Sequence, residues 1–351
     1  MSGKHKTDYI IVGAGLAGVS LALELLLRKK NIVVIDQPDA SSSSRIAAGI
    51  IHPIVPKGVK LTWMADLLFN RIEPWFRKWE NVLQADFYQP LTGFQVHPNP
   101  ETANFWNSRA MNSEMRPWIA PIIHESLPGF KNTFGVSPIR HCARLNTTVF
   151  LESAVAWINR KACVLQKTFD YSSLELCQGG WIYEDITADG IIFCEGVGIL
   201  KNPWFHKLHF HPTAGDILTL EASGPVSPAL YKSRNWLVPD GKGKWLAGST
   251  YHKGSLDAKP DPADAEAILQ QIQQWCHIDF KLVSHKRGIR PTVEQRRPYL
   301  GEHPCKKGMY VFNGLGSKGS SLIPWLSPMM ADFICNGIPL NSEVDISRFD
   351  L

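Results

Sequence analysis

The sequence predicts an α/β fold, α+β overall: a parallel-sheet domain assembled from discontinuous chain segments, joined to a second domain built on an antiparallel sheet. Three observations predict it. Tyr9-Ile10-Ile11-Val12 and Ile32-Val33-Val34-Ile35 are short apolar runs on either side of a helix-length segment, the pattern of strands buried on both faces. Gly13-x-Gly15-x-x-Gly18 sits between the first run and that segment. Segments 217–221, 235–238 and 245–247 read as antiparallel strands.

Taken in order, strand 9–12, helix 16–28 and strand 32–35 form a Rossmann-like βαβ unit. The first glycine makes the tight turn, the second lets a pyrophosphate approach the backbone, and the third allows close helix–strand packing. The helix N-terminus offers N–H groups and partial positive charge to phosphates. Asp36 ends the second strand, 18 residues after Gly18, where a carboxylate accepts hydrogen bonds from ribose hydroxyls and repels a 2′-phosphate. A serine run, 41–44, reads as a loop. The small residues of Ala47-Ala48-Gly49 and the Ile50-Ile51-His52-Pro53 segment after them favour a backbone running beside a long, flat cofactor.

Further along, 63–83 has helical spacing, 87–97 alternates as a strand, and 98–140 carries six prolines and reads as loops and short helices. A helix is expected at 147–160, returning strands from Val164, a strand ending at the glycine turn of Gly196, an amphipathic helix at 261–275, and a strand at 310–313 followed by a glycine loop and a helix. These place 1–85, 148–212 and 292–351 in the dinucleotide domain, and 86–147 and 213–291 in the second domain.

Composition narrows the class. With 44% hydrophobic and 20% charged residues among 351, the chain is an ordinary globular protein, and a net charge of +5 without basic runs is too mild to argue for nucleic acid. Seven cysteines without a C-x-x-C pair exclude the common zinc spacings and suggest reduced thiols in a cytoplasmic protein. His209 and His211 are expected on one strand face without metal, and no metal site is expected. The apolar stretch 9–27 imitates a signal peptide but is interrupted by Glu24, and 322–338 carries Pro324, Pro328 and Asp332, so no membrane span is expected. Five of twelve tryptophans (Trp63, Trp75, Trp79, Trp106, Trp118) fall in one stretch, either as core or as a wall around a flat ligand.

Four blocks in order carry a resemblance to a family: 8–36; Ser44-Arg45-x-Ala47-Ala48-Gly49; 188–196; and Arg287-Gly288-Ile289-Arg290-Pro291 through to the C-terminus. They resemble the D-amino-acid oxidase, glycine oxidase and sarcosine oxidase superfamily over nearly the whole chain. The resemblance implies FAD, bound without a covalent link, and cofactor contacts from Gly13, Gly15, Leu16, Ala17, Gly18, Asp36, Ser44, Arg45, Ala48, Gly49, Ile50, Val164, Gly196, Gly314, Gly316, Ser317, Lys318 and Gly319. It implies that Arg290 clamps a substrate carboxylate and that the loop 314–319 approaches the flavin pyrimidine. Trp236 stands where glycine oxidase has a substrate-binding tyrosine, and Leu246 where sarcosine oxidases carry a lysine.

The implied chemistry is oxidation of the C–N bond of a small amino acid or secondary amine, by hydride transfer to flavin N5. The expected partner is a small carboxylate-bearing amine, with oxygen or another molecule as electron acceptor, so oxidase and dehydrogenase both stay open. A second reading is the flavoprotein that acts on the carboxymethylaminomethyl group of a tRNA wobble uridine. A non-catalytic flavin binder is disfavoured by Arg290. Candidate catalytic residues are Arg290, His52, Lys318 and Trp236. Arg290 either clamps substrate or pairs with Glu294; His52 either reaches the flavin or is a buried, hydrogen-bonded histidine; Lys318 either pairs with a reduced flavin anion or is solvated.

Overall fold

The first strand, β1 (His5–Val12), pairs in parallel with two neighbours, β2 (Ile32–Asp36) and the strand Ile186–Phe193. Tyr9–Val12 is thus paired on both sides, as a run buried on both faces requires. The strand Met309–Asn313 extends the sheet beyond Ile186–Phe193, and Cys163–Gln166 extends it beyond β2, both in parallel. Tyr299–Glu302 closes one edge antiparallel. This computed structural model describes residues 5–349 apart from 40, 56 and 126; the outermost residues of the expected domain segments, 1–4 and 350–351, lie outside that range.

Helix α1 (Leu16–Leu27) is buried almost all round and packs against the late helix Gly319–Asn336. Between the two helices Ser20 Oγ and Ser327 Oγ lie 2.6 Å apart, so the polar groups of this interface satisfy one another. Glu24, 3% exposed, is likewise satisfied by Trp75 Nε1 and Arg28. The helix Ala65–Leu83 covers the same core with Leu68, Ile72, Trp75, Phe76 and Trp79. Trp106 and Trp118 are buried in a separate cluster, so four of the five clustered tryptophans are core residues.

The second sheet runs in the order Phe280–Arg290, Thr213–Ala222, Lys244–Gly248, Trp236–Gly241, Leu230–Lys232, Tyr88–Val96, Val136–Leu145 and Ile50–Ile51, with His252–Lys253 continuing the Lys244–Gly248 edge. All neighbours are antiparallel except the Tyr88–Val96 and Leu230–Lys232 pair. Its two faces alternate. Leu218, Leu220, Tyr231, Leu237 and Ala247 enter one core cluster, while Leu230, Ile217, Trp236, Val238 and Leu246 face the other, against Ala48, Ile50 and Ile54.

Several local expectations change. The serine run holds a helical turn, Ser43–Ile46, rather than loop only. The ten-residue strand Val136–Leu145 begins within the stretch 98–140 expected as loops and short helices. The strand Ile50–Ile51 lies in the chain segment assigned to the dinucleotide domain yet pairs with Val136–Leu145 of the second sheet. His209 and His211 are exposed and lie on no strand; Phe210 makes only an isolated bridge to Val293. Among the described residues no helix is long and apolar enough to cross a membrane.

Candidate functional site

Three glycine turns leave the carboxyl edge of the parallel sheet side by side, after Val12, Phe193 and Asn313. Gly13 has φ +101°, and a Cβ there would lie 2.6 Å from the Cys194 carbonyl. A Cβ on Gly18 would lie 1.8 Å from the Gly13 carbonyl, so the helix can start this close to the turn only with glycine. Asp36 Oδ1 accepts the Ala14 N–H at 2.9 Å, and Ser44 Oγ accepts the Leu16 N–H at 3.1 Å. Asp36 therefore braces the turn with one oxygen and has its second for a ribose hydroxyl. Gly15 caps α1 without a side-chain hydrogen bond, leaving the N-terminus at Leu16, Ala17 and Gly18 without a protein acid in its first turn.

The other two turns are tied to the first. Asn313, 2% exposed, donates from Nδ2 to the Gly196 carbonyl at 2.9 Å and accepts the Gly314 N–H at 2.7 Å. Gly314 and Gly316 have φ +79° and +55°. Lys318 caps the helix Gly319–Asn336, after Ser317, and a Cβ on Gly319 would touch Leu16 Cδ1 at 3.0 Å, so two helix N-termini meet here. Beside the end of β2, an open cleft of about 450 Å³ is lined by Arg45, Val164, Leu165, Gln166 and the helix Thr147–Asn159. These features fit a dinucleotide with its pyrophosphate over α1 and its far end past Asp36.

The chain from Ala47 to Pro53 crosses from this edge to the second sheet. A Cβ on Gly49 would lie 1.8 Å from the Leu145 carbonyl, and Ile50 pairs with Arg144. Arg144 donates to the Ala48 carbonyl and pairs with Asp240 at 2.5 Å. His52 Nε2 lies 2.9 Å from Lys232 Nζ, and its Nδ1 is buried without a partner. Burial, then Lys232 and Lys318, hold the His52 pKa well below its usual value, so the ring is neutral and accepts from the lysine. Lys232, 8% exposed, is pushed down to about 7 by burial and then by Lys318. Lys318, partly exposed, is pushed down to about 8, chiefly by burial and then by Arg296.

Arg290 ends the strand Phe280–Arg290, where Pro291 keeps it extended. Its guanidinium lies where a Gly215 Cβ would be, 2.3–2.6 Å from that point. It stacks 4.7 Å from the Tyr251 ring centroid and donates to the Thr250 carbonyl at a long 3.4 Å. Arg290 joins none of the ion pairs among the described residues, and Glu294, its sequence-expected alternative partner, is exposed. Burial lowers its pKa. On the same sheet face stand Ile217, Leu246 and Trp236, the last packed over Gly248, where a Cβ would meet the ring at 2.7 Å.

Gly215, Tyr251 and Lys232 escape a reading by motif. Gly215 and Tyr251 lie against Arg290, 75 and 39 residues away in sequence, and Lys232 meets His52 and Lys318, which are likewise far from it in sequence. Behind Arg290, fully buried Asp216 binds Arg287, His285 and the Thr250 hydroxyl, which anchors Thr250. Asp216, His252 and Asp264 stand within metal-ligand reach of one another, but Arg287 bridges both carboxylates and occupies the charge they offer. Glu195, beside Gly196, is pushed up to about 7 by burial although Tyr171 and Asn202 donate to it.

Comparison with known proteins agrees with this geometry. The family described as FAD dependent oxidoreductase matches residues 8–333. A glycine oxidase of Geobacillus kaustophilus is 24% identical over 94% of this chain and 93% of its own. The crystal structure of glycine oxidase from that organism superposes with a TM-score of 0.81 at 19% identity, covering 94% of this chain and 95% of the other. The structure of iminodiacetate oxidase from Chelativorans superposes with a TM-score of 0.78 at 20% identity, covering 95% and 96%. A tRNA 5-methylaminomethyl-2-thiouridine biosynthesis bifunctional protein of Leptospira interrogans is 25% identical over 95% of this chain, which spans 58% of that protein.

Proposed function

The chain belongs to the family of FAD dependent oxidoreductases, and on that premise we propose that it oxidises the C–N bond of a small carboxylate-bearing amine or amino acid. The observation that carries this reading is Arg290: a guanidinium held over Gly215 and against Tyr251, with no carboxylate partner among the described residues. A planar fork of donors without an acid is suited to grip a carboxylate through two parallel hydrogen bonds.

FAD, when bound, accepts the hydride that leaves the substrate α-carbon. The turns at Gly13–Gly18, Gly196 and 314–319, with Asp36, Ser44, Arg45 and Val164, would hold it. Arg290 fixes the substrate at its carboxylate, and Tyr251 keeps the guanidinium flat. Trp236, Leu246 and Ile217 form an apolar surface that excludes water from the reacting carbon. Lys318, Lys232 and Arg290 disfavour another positive charge nearby, so they favour the neutral form of a bound amine, which oxidation requires. His52 and Lys318 flank the loop segments that would face the flavin.

The test is anaerobic flavin reduction across a panel of amino acids and secondary amines, with reoxidation by oxygen and by an artificial acceptor compared. Reduction by carboxylate-bearing amines and not by their decarboxylated analogues supports the reading; indifference to the carboxylate overturns it. Similarity to the tRNA-modifying protein favours a second reading, in which the same arginine grips a carboxymethylaminomethyl group. A tRNA bearing that group belongs in the panel, with binding measured against salt.

A further inference from the structure

The inner face of the antiparallel sheet carries cationic groups at two separated places. Arg290 lies over Gly215, on the strand Thr213–Ala222. Lys232 lies on the strand Leu230–Lys232, and its register through Trp236 and Gly248 to Ile217 puts it on the same face. Three strand spacings, about 14 Å, separate Ile217 from Lys232, and Gly215 lies two residues further along its strand, about 16 Å from Lys232. Trp236, Leu246 and Ile217 fill the interval with apolar surface.

A buried ammonium is ordinarily matched by an acid. Lys232 has none among the described residues. Its recorded partner is the neutral His52 ring, which takes one of three donors. The other groups facing it are the Lys318 ammonium, which repels it, and the Cys142 thiol. Asp240, the acid near this part of the sheet, is taken by Arg144. Two donors of a lysine that is more than nine-tenths buried thus remain without a partner among the described residues.

We propose that Lys232, oriented by His52, binds a second carboxylate, and that the substrate is an amine carrying two acids: a dicarboxylic amino acid or an N-carboxyalkyl amino acid. One carboxylate sits on Arg290 and the other on Lys232, with the oxidisable C–N bond over the apolar strip between them. This inference rests on the reading of Arg290 as a carboxylate clamp. Because burial holds the free ammonium near the middle of the pH range, the second carboxylate binds best where Lys232 carries its proton, below about pH 7.

The test uses FAD-loaded protein and two probes that contain no amine, glutarate and butyrate, with binding followed by calorimetry. Glutarate should bind about tenfold or more tighter than butyrate at pH 6.5, as expected for a charge-assisted hydrogen bond. The ratio should fall toward one as pH rises above 8. Lys232→Met should bring it near one at all pH values, and Lys232→Arg should keep most of it. If Lys232→Met does not fold, the pH dependence of the wild-type ratio decides. Equal binding of the two probes, or a preference indifferent to both pH and Lys232→Met, overturns the proposal. So does a Lys232→Met variant that keeps the preference but shifts the flavin midpoint potential, which would assign the lysine to the cofactor. Amine-dependent flavin reduction is scored separately: its absence removes the C–N oxidation reading, while glutarate preference reports on Lys232 alone.

Discussion

At the carboxyl edge of the parallel sheet, glycines present backbone; on the inner face of the antiparallel sheet, long side chains lie over glycines. The first region fits a ligand by letting it come near N–H groups and helix ends, with Gly18 closed to 1.8 Å against Gly13. The second fits a ligand with Arg290 and Lys232, neither of which pairs with an acid among the described residues. In one region glycine lets backbone come close to backbone; in the other, at Gly215 and Gly248, it makes room for the protein's own arginine and tryptophan. The difference teaches that substitutions at the first should be all-or-none for cofactor binding, and those at the second should leave a loaded but poorly acting protein.

The largest effect is expected at the first region. Gly15→Leu puts a side chain against Ser44 Oγ, already 3.0 Å from the position of a Cβ, and into the space over α1. The purified variant should contain no flavin, read from its absorbance; full occupancy would show that this turn is not the phosphate site. At the second region, Gly215→Val displaces the Arg290 guanidinium, the mobile end of a flexible side chain. The fold and the flavin should persist, while kcat/KM for a carboxylate substrate falls by about 3 kcal/mol, the scale of truncating a buried charge pair. Loss of flavin from Gly215→Val would blur the two regions into one.

How much of each region the sequence discloses follows from the same contrast. Gly13, Gly15, Gly18 and Asp36 are legible because the turn, the helix and the next strand are contiguous, and each glycine has its reason within a few residues. Arg290 is legible through its resemblance to a family motif, and Pro291 explains its extended backbone. Lys232 is not legible: Tyr231-Lys232-Ser233 is an ordinary strand end until the Ile51-His52 segment and Lys318 close over it. The strand Val136–Leu145 is hidden by Pro138 and by the polar pair Arg140-His141, where His141 takes φ +57° and the register with Tyr88–Val96 shifts. The strand Phe280–Arg290 hides for a related reason, since its first half leaves the neighbouring Leu282 and Val283 exposed and shows no alternation of apolar and polar residues.

Smaller effects sharpen the comparison. Glu195 is a partly exposed acid beside the Gly196 turn, pushed up to about 7 chiefly by burial. Its folded pKa lies above the unfolded value, so its contribution to stability is complete below about pH 4.5 and is lost as pH rises through about 7, by up to about 3 kcal/mol. Glu195→Gln should flatten that fall, measured by urea unfolding at pH 5 and pH 8; an unchanged slope would place the titrating group elsewhere. Asp36→Ala removes both the brace on Ala14 and the acceptor for a ribose hydroxyl, and should weaken FAD binding by about 1.5–3 kcal/mol without abolishing it. Unaltered affinity in a flavin-release titration would detach Asp36 from the cofactor.

The account turns on Arg290, whose guanidinium lies between Tyr251 and Gly215 and pairs with no acid among the described residues. The most direct measurement is anaerobic stopped-flow reduction of the flavin in Arg290→Ala, using the best amine substrate and its decarboxylated analogue. The account predicts a folded, flavin-loaded variant that loses about 3–5 kcal/mol of transition-state stabilisation for the carboxylate substrate and little for the analogue. Wild-type reduction rates with the carboxylate substrate in a folded Arg290→Ala variant would contradict it.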